Sequence, residues 1–271
     1  MSLDLGERLL WLPVRVAFRT VGRLSTGVRT GQREGFSSGQ MLDYVYENRA
    51  RGLTPLGRAL DRLFLDAAGW RGIRERRTNL ARTLAAIVLA RRAAGRPTRV
   101  LDVAAGPGRY LLDLADLVGS EGLDLMARDA DSGAVARGRA LAEARGVACA
   151  DFAVHDALDP TALAATRPVP DVVVASGLYE ILTDDAAVRA SLGGIQALLP
   201  PGGLVVVTGQ PRHPQLRFIA GVLTHRGGRP WVMRPRPIVE LEGYLAQAGF
   251  VDAHTTADSQ GIFTITLARR P

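Results

Sequence analysis

The amino-acid sequence predicts an α/β fold with an open, mostly parallel sheet that helices cover on both faces. Residues 99–112 have the pattern of a buried strand followed by a glycine turn and a helix, and three further apolar runs follow with helical patterns between them. Each run closes with a polar residue, as expected when a ligand binds at the carboxyl edge of such a sheet. With 271 residues and 47% apolar composition, the chain can bury a large core.

The first strand is predicted at Val100, Leu101 and Val103, because apolar and β-branched side chains suit a strand that is buried on both faces. Gly106 and Gly108 follow in the turn, where the lack of a Cβ lets a ligand approach the backbone closely. The runs at 123–127, 152–156 and 171–175 are predicted as the second, third and fourth strands.

Capping signals and apolar spacing place the remaining elements. Thr54 and Pro55 predict the start of a helix that ends at Gly69. Its inward residues are predicted to be Leu56, Ala59, Leu60, Leu63 and Phe64. Further helices are predicted at 76–94, 132–145, 185–199 and 238–248, and further strands at 204–208, 251–256 and 262–268.

The glycine turn lacks one feature of dinucleotide-binding loops. Those loops carry a third glycine, which brings helix and strand together around a pyrophosphate, whereas this chain has Leu111 at that position. Asp102 lies at the predicted end of the first strand, where a carboxylate would repel a pyrophosphate and accept hydrogen bonds from a cationic group. The turn therefore favours S-adenosylmethionine (SAM) over NAD.

The pattern Asp102-x-x-x-Gly106-x-Gly108 resembles the first motif of class I SAM-dependent methyltransferases, with Ala104 where many members have glycine. Segments 38–48, 69–74, 176–180, 208–215 and 230–234 resemble a bacterial subfamily of these enzymes, whose relatives are often fused behind an α/β-hydrolase of lysophospholipase type. The resemblance implies a Rossmann-like, seven-stranded, mostly parallel sheet with an antiparallel last strand. It also implies an N-terminal helical cap and SAM as cofactor, with S-adenosylhomocysteine (SAH) as product.

The resemblance also implies the cofactor-binding residues. Asp129, at the predicted tip of the second strand, suits a ribose diol, although Asp131 is a near rival that also reads as a helix N-cap. Asp156 corresponds to the contact with the adenine amino group, and the fourth strand ends at the transferred methyl. The full set is Asp102, Ala104, Gly106, Pro107, Gly108, Asp129, Ala130, Asp156, Ala157, Ser176 and Gly177. The alternative is that these aspartates only cap helices and end loops.

Methyl transfer from a sulfonium depends mainly on the position of the nucleophile, and a hydroxyl or ammonium acceptor also needs a base. The predicted catalytic residues are Glu180, Tyr179 and His213, with His225 as a further candidate base. The predicted substrate-binding residues are Tyr44, Tyr46, Gln215 and Trp231. Each of these also has an ordinary interpretation as a core or loop residue. The four histidines lack the spacing of metal ligands, so no metal site is predicted.

The predicted domains are an N-terminal helical extension and cap at 1–96 and a SAM-binding domain at 97–271, with an insertion at 209–235. Residues 1–99 hold 19 arginines and 8 acidic residues. Arg8, Arg15, Arg19 and Arg23 fall on one side of a helix, with Leu9, Leu10, Leu12, Val16 and Val21 elsewhere around it. Residues 7–24 are therefore predicted either to lie on an anionic membrane surface or to pack their apolar side on the catalytic domain.

Two further patterns bear on function. Gly35-Phe-Ser-Ser-Gly39 matches the nucleophile-elbow pattern, but Gln-Arg-Glu precedes it rather than a buried strand, so it is not predicted to be a nucleophile. The single Cys149, in a predicted strand, suits a reducing cytosol and predicts a cytoplasmic protein, with the inner membrane surface as an option. Nucleic acid is not a predicted partner, because few aromatic residues interleave the arginines.

These observations predict O- or N-methylation of a small-molecule or lipid-like acceptor. Two alternatives stay open. One is a SAM-binding fold that performs non-methyl biosynthetic chemistry, and the other is a non-catalytic module that binds a membrane surface or a partner.

Overall fold

The structure of the protein, a computed structural model, describes residues 5–225 and 228–271, apart from the side chains of Leu5 and Arg8. The chain divides into two compact units. Unit 1 comprises Met1–Arg74 and His213–Arg234, and unit 2 comprises Glu75–Arg212 and Pro235–Pro271. Residues 75–96 of the predicted extension thus belong to unit 2, and most of the predicted insertion belongs to unit 1.

The helices of the described residues follow the predicted pattern of capping and amphipathic spacing. Thr54 accepts a hydrogen bond from the Gly57 N–H, and Asp131 accepts one from the Gly133 N–H, which confirms both predicted N-caps. In chain order the helices are α1 (Leu5–Leu10), α2 (Leu12–Arg19), a 3₁₀ turn (Val21–Leu24), α3 (Thr26–Glu34), α4 (Gly39–Glu47), α5 (Pro55–Leu65), α6 (Ala68–Ala93), α7 (Arg109–Val118), α8 (Ser132–Ala144), α9 (Pro160–Ala164), α10 (Asp185–Leu198), α11 (Leu216–Val222) and α12 (Ile238–Gln247).

Unit 2 contains a seven-stranded sheet in the order β3-β2-β1-β4-β5-β7-β6. The strands β1 to β5 run parallel, and β7 runs antiparallel to both β5 and β6, which confirms the predicted sheet. In chain order the strands are β1 (Thr98–Asp102), β2 (Leu123–Asp129), β3 (Ala150–Val154), β4 (Val172–Ala175), β5 (Leu204–Gly209), β6 (Val251–Ala257) and β7 (Thr264–Arg269).

Hydrophobic cores cover both faces of this sheet. Alternate residues of a strand point to opposite faces, and Val172 and Val174 lie in one cluster while Val173 lies in the other. The first cluster includes Leu84 of α6 and residues of α7, and the second includes residues of α10 and α12. Burial on both faces explains why the strands read as continuous apolar runs.

The prediction for the buried face of α5 is confirmed only in part: Leu60 and Phe64 are half-buried, and the Phe64 ring centre lies 5.7 Å from that of Trp70. Leu56 and Leu63 are exposed, whereas Gly57, Asp61 and Leu65 are buried. Asp61 lies inside unit 1 because its carboxylate accepts hydrogen bonds from four donors. These donors are Ser25 Oγ at 2.5 Å, the Gly27 and Arg51 N–H groups at 2.7 Å each, and the Tyr44 hydroxyl.

Two smaller predictions also need correction. Helix α5 ends at Leu65, and Gly69 lies in the first turn of α6 rather than stopping a helix. Glycine is required at position 69, because a Cβ there would lie 2.6 Å from His213 Nε2. Cys149 lies in the turn before β3 rather than in a strand. The Gly35–Gly39 pattern joins α3 to α4, with Ser38 as N-cap of α4, so no strand precedes it.

Candidate active site

The glycine turn between β1 and α7 lies where the strand order reverses, between β1 and β4, which is the usual ligand-binding position of open α/β sheets. Gly106 and Gly108 have φ angles of 55° and 64°, in the left-handed region that favours glycine. A Cβ on Gly108 would lie 2.9 Å from the Phe152 ring, so this glycine permits close packing. A Cβ on Gly106 would have no atom within 4 Å, so that side of the turn is open.

The half-buried carboxylate of Asp129, at the end of β2, is joined to this open turn. Its Oδ2 accepts a hydrogen bond from the Gly106 N–H at 2.7 Å, and its Oδ1 accepts one from the Asp131 N–H at 2.8 Å. Each carboxylate oxygen can accept about two hydrogen bonds, so both retain capacity for a further donor. Asp131 uses its own carboxylate to cap α8. Of the two rival aspartates, Asp129 is the one that the Gly106 N–H contacts at the glycine turn, and its role with a ligand stays a prediction.

Asp102 lies at the end of β1 as predicted, but its carboxylate has partners inside unit 2. It is fully buried and accepts hydrogen bonds from the Tyr110 hydroxyl and, at 2.9 Å, from the Ala104 N–H. Burial raises the pKa of Asp102 to about 7, although the two hydrogen bonds oppose that shift. The protein itself thus supplies one donor to each oxygen of the Asp102 carboxylate, and the predicted contact of Asp102 with a cationic ligand stays a prediction.

The other predicted cofactor residues also lie at the carboxyl ends of the parallel strands. Asp156 is exposed after β3, and its Oδ1 accepts the Leu158 N–H at 2.9 Å. Gly177, after β4, has a φ of 72° and donates its N–H to Thr208 Oγ at 2.9 Å. The remaining members of the set vary in exposure: Ala130 is exposed, Ala104 and Ser176 are half-buried, and Pro107 and Ala157 are buried.

Glu180 is held in a buried polar cluster near the end of β4. Its Oε1 accepts hydrogen bonds from Arg76 Nη1 at 3.2 Å and from Thr208 Oγ at 2.8 Å. Arg76 also stacks on Phe263, with its guanidinium carbon 4.9 Å from the ring centre. Among the described residues, Oε2 of Glu180 has no hydrogen-bond partner although it is buried. This oxygen therefore has unused capacity as a hydrogen-bond acceptor.

Sequence reasoning missed Arg76, Tyr110 and Arg236. Arg236 is buried and donates hydrogen bonds to the carbonyls of Tyr179 and Leu182 and to the Asp185 carboxylate, so it fixes the loop that carries Glu180. Arginines are usually surface residues in an arginine-rich chain, so composition gave no signal for it. Tyr110 was detectable in principle, since it lies two residues after Gly108.

Tyr179, predicted to be catalytic, and Tyr44, predicted to bind substrate, both have buried side chains, so these two predictions are corrected. Tyr179 is 1% exposed in the core of unit 2, where its hydroxyl lies 3.1 Å from Ser191 Oγ and burial raises its pKa. Tyr44 is buried in unit 1, where its hydroxyl donates to Asp61 and burial raises its pKa. Both side chains contribute to cores.

The other predicted residues of this group lie in unit 1. His213 Nδ1 accepts the Gln215 N–H at 3.1 Å, which places the ring proton on Nε2, and burial lowers the pKa of His213 to about 4. Gln215 Oε1 accepts the Gly69 N–H at 3.4 Å. Trp231 is buried, and its ring centre lies 6.2 Å from that of Trp70. The indole N–H of Trp231 has no hydrogen-bond partner among the described residues. Tyr46 is half-buried.

The described residues contain neither a metal-binding cluster nor a membrane-spanning helix. No three histidine, cysteine, aspartate or glutamate side chains in residues 5–225 and 228–271 come together as a set that could hold a metal ion. Within the same residues, no helix combines the length and the apolar character that crossing a bilayer requires.

Comparison with known proteins places the chain in a family. The sequence profile of a family described as "Putative methyltransferase" matches residues 3–270. The chain belongs to this methyltransferase family.

Another similar sequence is that of the uncharacterized protein YnbC of Escherichia coli (strain K12). The alignment is 41% identical over 271 positions and covers 99% of this chain and 45% of YnbC. The chain thus spans less than half the length of this curated relative.

Solved structures share the fold. A possible exported protein of Bordetella parapertussis matches with a TM-score of 0.67 and 23% identity, covering 86% of this chain and 79% of its own. Magnesium protoporphyrin IX methyltransferase (ChlM) of Synechocystis PCC 6803, solved with bound SAH, matches with a TM-score of 0.58 and 14% identity, covering 98% of this chain and 100% of its own. At these identities the likeness shows a methyltransferase-like fold.

Proposed function

We propose that the chain catalyses SAM-dependent methyl transfer to a hydroxyl or amino group of a small-molecule or lipid-like acceptor, with SAH as the other product. Membership of a methyltransferase family supports the reaction class. The observation that carries the proposal is the open glycine turn, whose Gly106 N–H donates to the half-buried Asp129 carboxylate at the point where the strand order reverses.

The residues at this edge of the sheet fit SAM better than a dinucleotide. Gly106 leaves space beside the turn, and Asp129 and the exposed Asp156 are the candidates to bind the ribose and the adenine. Leu111, where a dinucleotide loop has its third glycine, is completely buried in the core. The Asp102 carboxylate at the end of β1 is a second feature that opposes a pyrophosphate, because a negative charge there would repel it.

When bound, SAM supplies an electrophilic methyl group on a sulfonium, so the protein's main contribution is to position the acceptor. Glu180 is the group proposed to receive the acceptor's proton. Arg76 and Thr208 hold Oε1, and the unpartnered Oε2 can accept a hydrogen bond from an O–H or N–H group. This arrangement supports an acceptor that is a hydrogen-bond donor.

The lipid-like option rests on the resemblance to domains that are fused behind an α/β-hydrolase. The length of YnbC, of which this chain covers 45%, is compatible with a further domain in relatives. A lipid-like acceptor is therefore proposed on the resemblance alone.

SAH release tests the proposed reaction. The purified protein is incubated with SAM and, separately, with phospholipid dispersions, small phenols and small amines, and both SAH and remaining SAM are quantified. Acceptor-dependent SAH formation is expected with at least one class. Consumption of SAM without SAH would contradict methyl transfer and favour non-methyl chemistry, whereas bound and unchanged SAM with every class would favour a non-catalytic module.

A further inference from the structure

The N-terminal helices of unit 1 expose an unusual concentration of aliphatic side chains. In α1, α2 and the 3₁₀ turn, five leucine and valine residues are between 51% and 78% exposed: Leu9, Leu10, Leu12, Val16 and Val21. Leaving so many large apolar residues in contact with water within a short segment is costly. Exposed patches of this kind in proteins usually mark a binding surface.

These side chains are exposed even though their helix is firmly attached to unit 1. Trp11 packs edge-on against Phe218, with ring centres 6.0 Å apart, and Phe18 packs against the same ring at 5.7 Å. The Arg15 guanidinium donates to the Gly221 carbonyl. A Cβ at Gly221 would lie 2.6 Å from the Trp11 ring, so the contact between α2 and α11 is close.

The packing therefore separates aromatic from aliphatic residues around α2. At about 100° per residue, Trp11, Arg15 and Phe18 share the side that packs within unit 1, whereas Leu12 lies about 95° and Val16 about 135° from the centre of that side. Of the apolar residues that were expected to pack against the protein, only the aromatic residues Trp11 and Phe18 do so. The aliphatic side has no cover within the described part of unit 1.

The charge around this aliphatic side has one sign. No acidic residue occurs between Glu7 and Glu34, and that interval contains Arg8, Arg15, Arg19, Arg23, Arg29 and Arg33. Arg19 and Arg23 are exposed, in the same segment as the aliphatic residues. Arg8 was predicted to align with the other arginines, but its side chain is outside the part of the structure that is described.

We propose that residues 7–24 bind the surface of a membrane that contains anionic phospholipids. The aliphatic side chains, including Leu12 and Val16, would enter the boundary between headgroups and acyl chains, and Arg19 and Arg23 would contact lipid phosphates. A protein partner of ordinary composition matches this surface less well, because it would have to supply both an apolar and a strongly acidic face. The proposal is independent of the methyl-transfer activity.

Vesicle co-sedimentation tests this proposal with the whole protein. Vesicles of phosphatidylglycerol and phosphatidylcholine are compared with vesicles of phosphatidylcholine alone, at low and high salt. The protein is expected to sediment with the anionic vesicles and to be released by high salt, because screening weakens the contribution of the arginines.

Two pairs of variants separate the apolar from the charged contribution. L12Q/V16Q and R19Q/R23Q are each expected to weaken partition to anionic vesicles by about tenfold or more. The matched controls are L89Q/L117Q, at leucines that are 50% and 58% exposed in unit 2, and R82Q/R96Q, at exposed arginines of unit 2. Both controls are expected to bind as the unchanged protein does, and circular dichroism checks that all variants fold.

Three results would overturn the proposal. The first is absence of vesicle binding, and the second is binding that both test variants retain. The third is concentration-dependent self-association in sedimentation velocity that L12Q/V16Q abolishes while vesicle binding is absent, since the surface would then bind a second copy of the chain.

Discussion

Asp129 connects the open side of the glycine turn to the end of β2. We predict that Asp129→Ala weakens SAM binding by more than about tenfold, because removing hydrogen bonds to a charged group costs about 1.5–3 kcal/mol. The matched control is Asp131→Ala, which removes the N-cap of α8 instead. That variant is expected to lose about 1 kcal/mol of stability and to bind SAM with unchanged affinity.

Isothermal titration with SAM and thermal unfolding of both variants check this prediction. Equal affinity of Asp129→Ala and the unchanged protein would remove Asp129 from the cofactor site. A loss of affinity in Asp131→Ala alone would assign the role to its neighbour.

Glu180 carries the second prediction at the scale of single residues. Glu180→Gln keeps the shape and one acceptor oxygen but cannot take a proton, so kcat is expected to fall by about 10²-fold or more with SAM affinity unchanged. Glu143→Gln, at an exposed position of α8, is the control. The assay is SAH release with an acceptor that supports turnover, and full activity of Glu180→Gln would exclude Glu180 as the base.

Folding of Glu180→Gln must be measured alongside, since Arg76 is buried and loses its charged partner. Breaking a buried pair of this kind costs about 3–5 kcal/mol when one charge is left without compensation. The amide retains a hydrogen-bond acceptor for Arg76, so the variant is expected to fold with a lowered Tm.

Sequence reasoning correctly predicted where residues lie when their position depends on the backbone. Gly106, Gly108 and Asp129 follow strands whose ends are recognisable as apolar runs, and the structure places them together. It failed for Tyr179 and Tyr44, because a tyrosine near a strand or helix end gives no indication of whether its ring points to the core or to a ligand.

At the scale of elements, α5 shows why one helix face was misassigned in part. Amphipathic spacing assumes that leucines face inward and aspartates face water. Asp61 reverses this rule, because four donors from neighbouring segments satisfy its carboxylate and make its burial favourable. Three of the donor residues, Ser25, Gly27 and Tyr44, are at least 17 positions away in the chain, so the local sequence of α5 carried no signal of them.

His213, just before α11, carries a prediction about pH. Its pKa is about 4 in the folded state and about 6.5 in an unfolded chain, so the unfolded state binds more protons between these values. The contribution of His213 to stability is therefore fully present above about pH 6.5 and declines as the pH falls toward 4.

Replacing His213 removes this linkage. In His213→Gln, Tm is expected to fall less steeply between about pH 6.5 and 4 than in the unchanged protein. His254→Gln, at an exposed histidine of β6, serves as the control and is expected to retain the steeper slope. If Tm depends on pH in the same way in all three proteins, the prediction that folding makes His213 harder to protonate is contradicted.

At the scale of the whole molecule, the class of fold was predictable and the division into units was not. The number and type of strands follow from apolar runs separated by helical patterns, and the sheet confirms the implied strand directions. The grouping of His213–Arg234 with the N-terminal residues depends on contacts between distant parts of the chain, such as that of Arg15 with Gly221. No periodicity in the sequence encodes such contacts.

The central claim is that the edge of the sheet beside Gly106 and Asp129 binds SAM. Calorimetric titration of the purified protein with SAM, SAH and NAD tests it most directly. We expect micromolar binding of SAM and SAH and no binding of NAD, because Leu111 and the Asp102 carboxylate oppose a pyrophosphate. Binding of NAD, or no heat with either SAM or SAH, would contradict it.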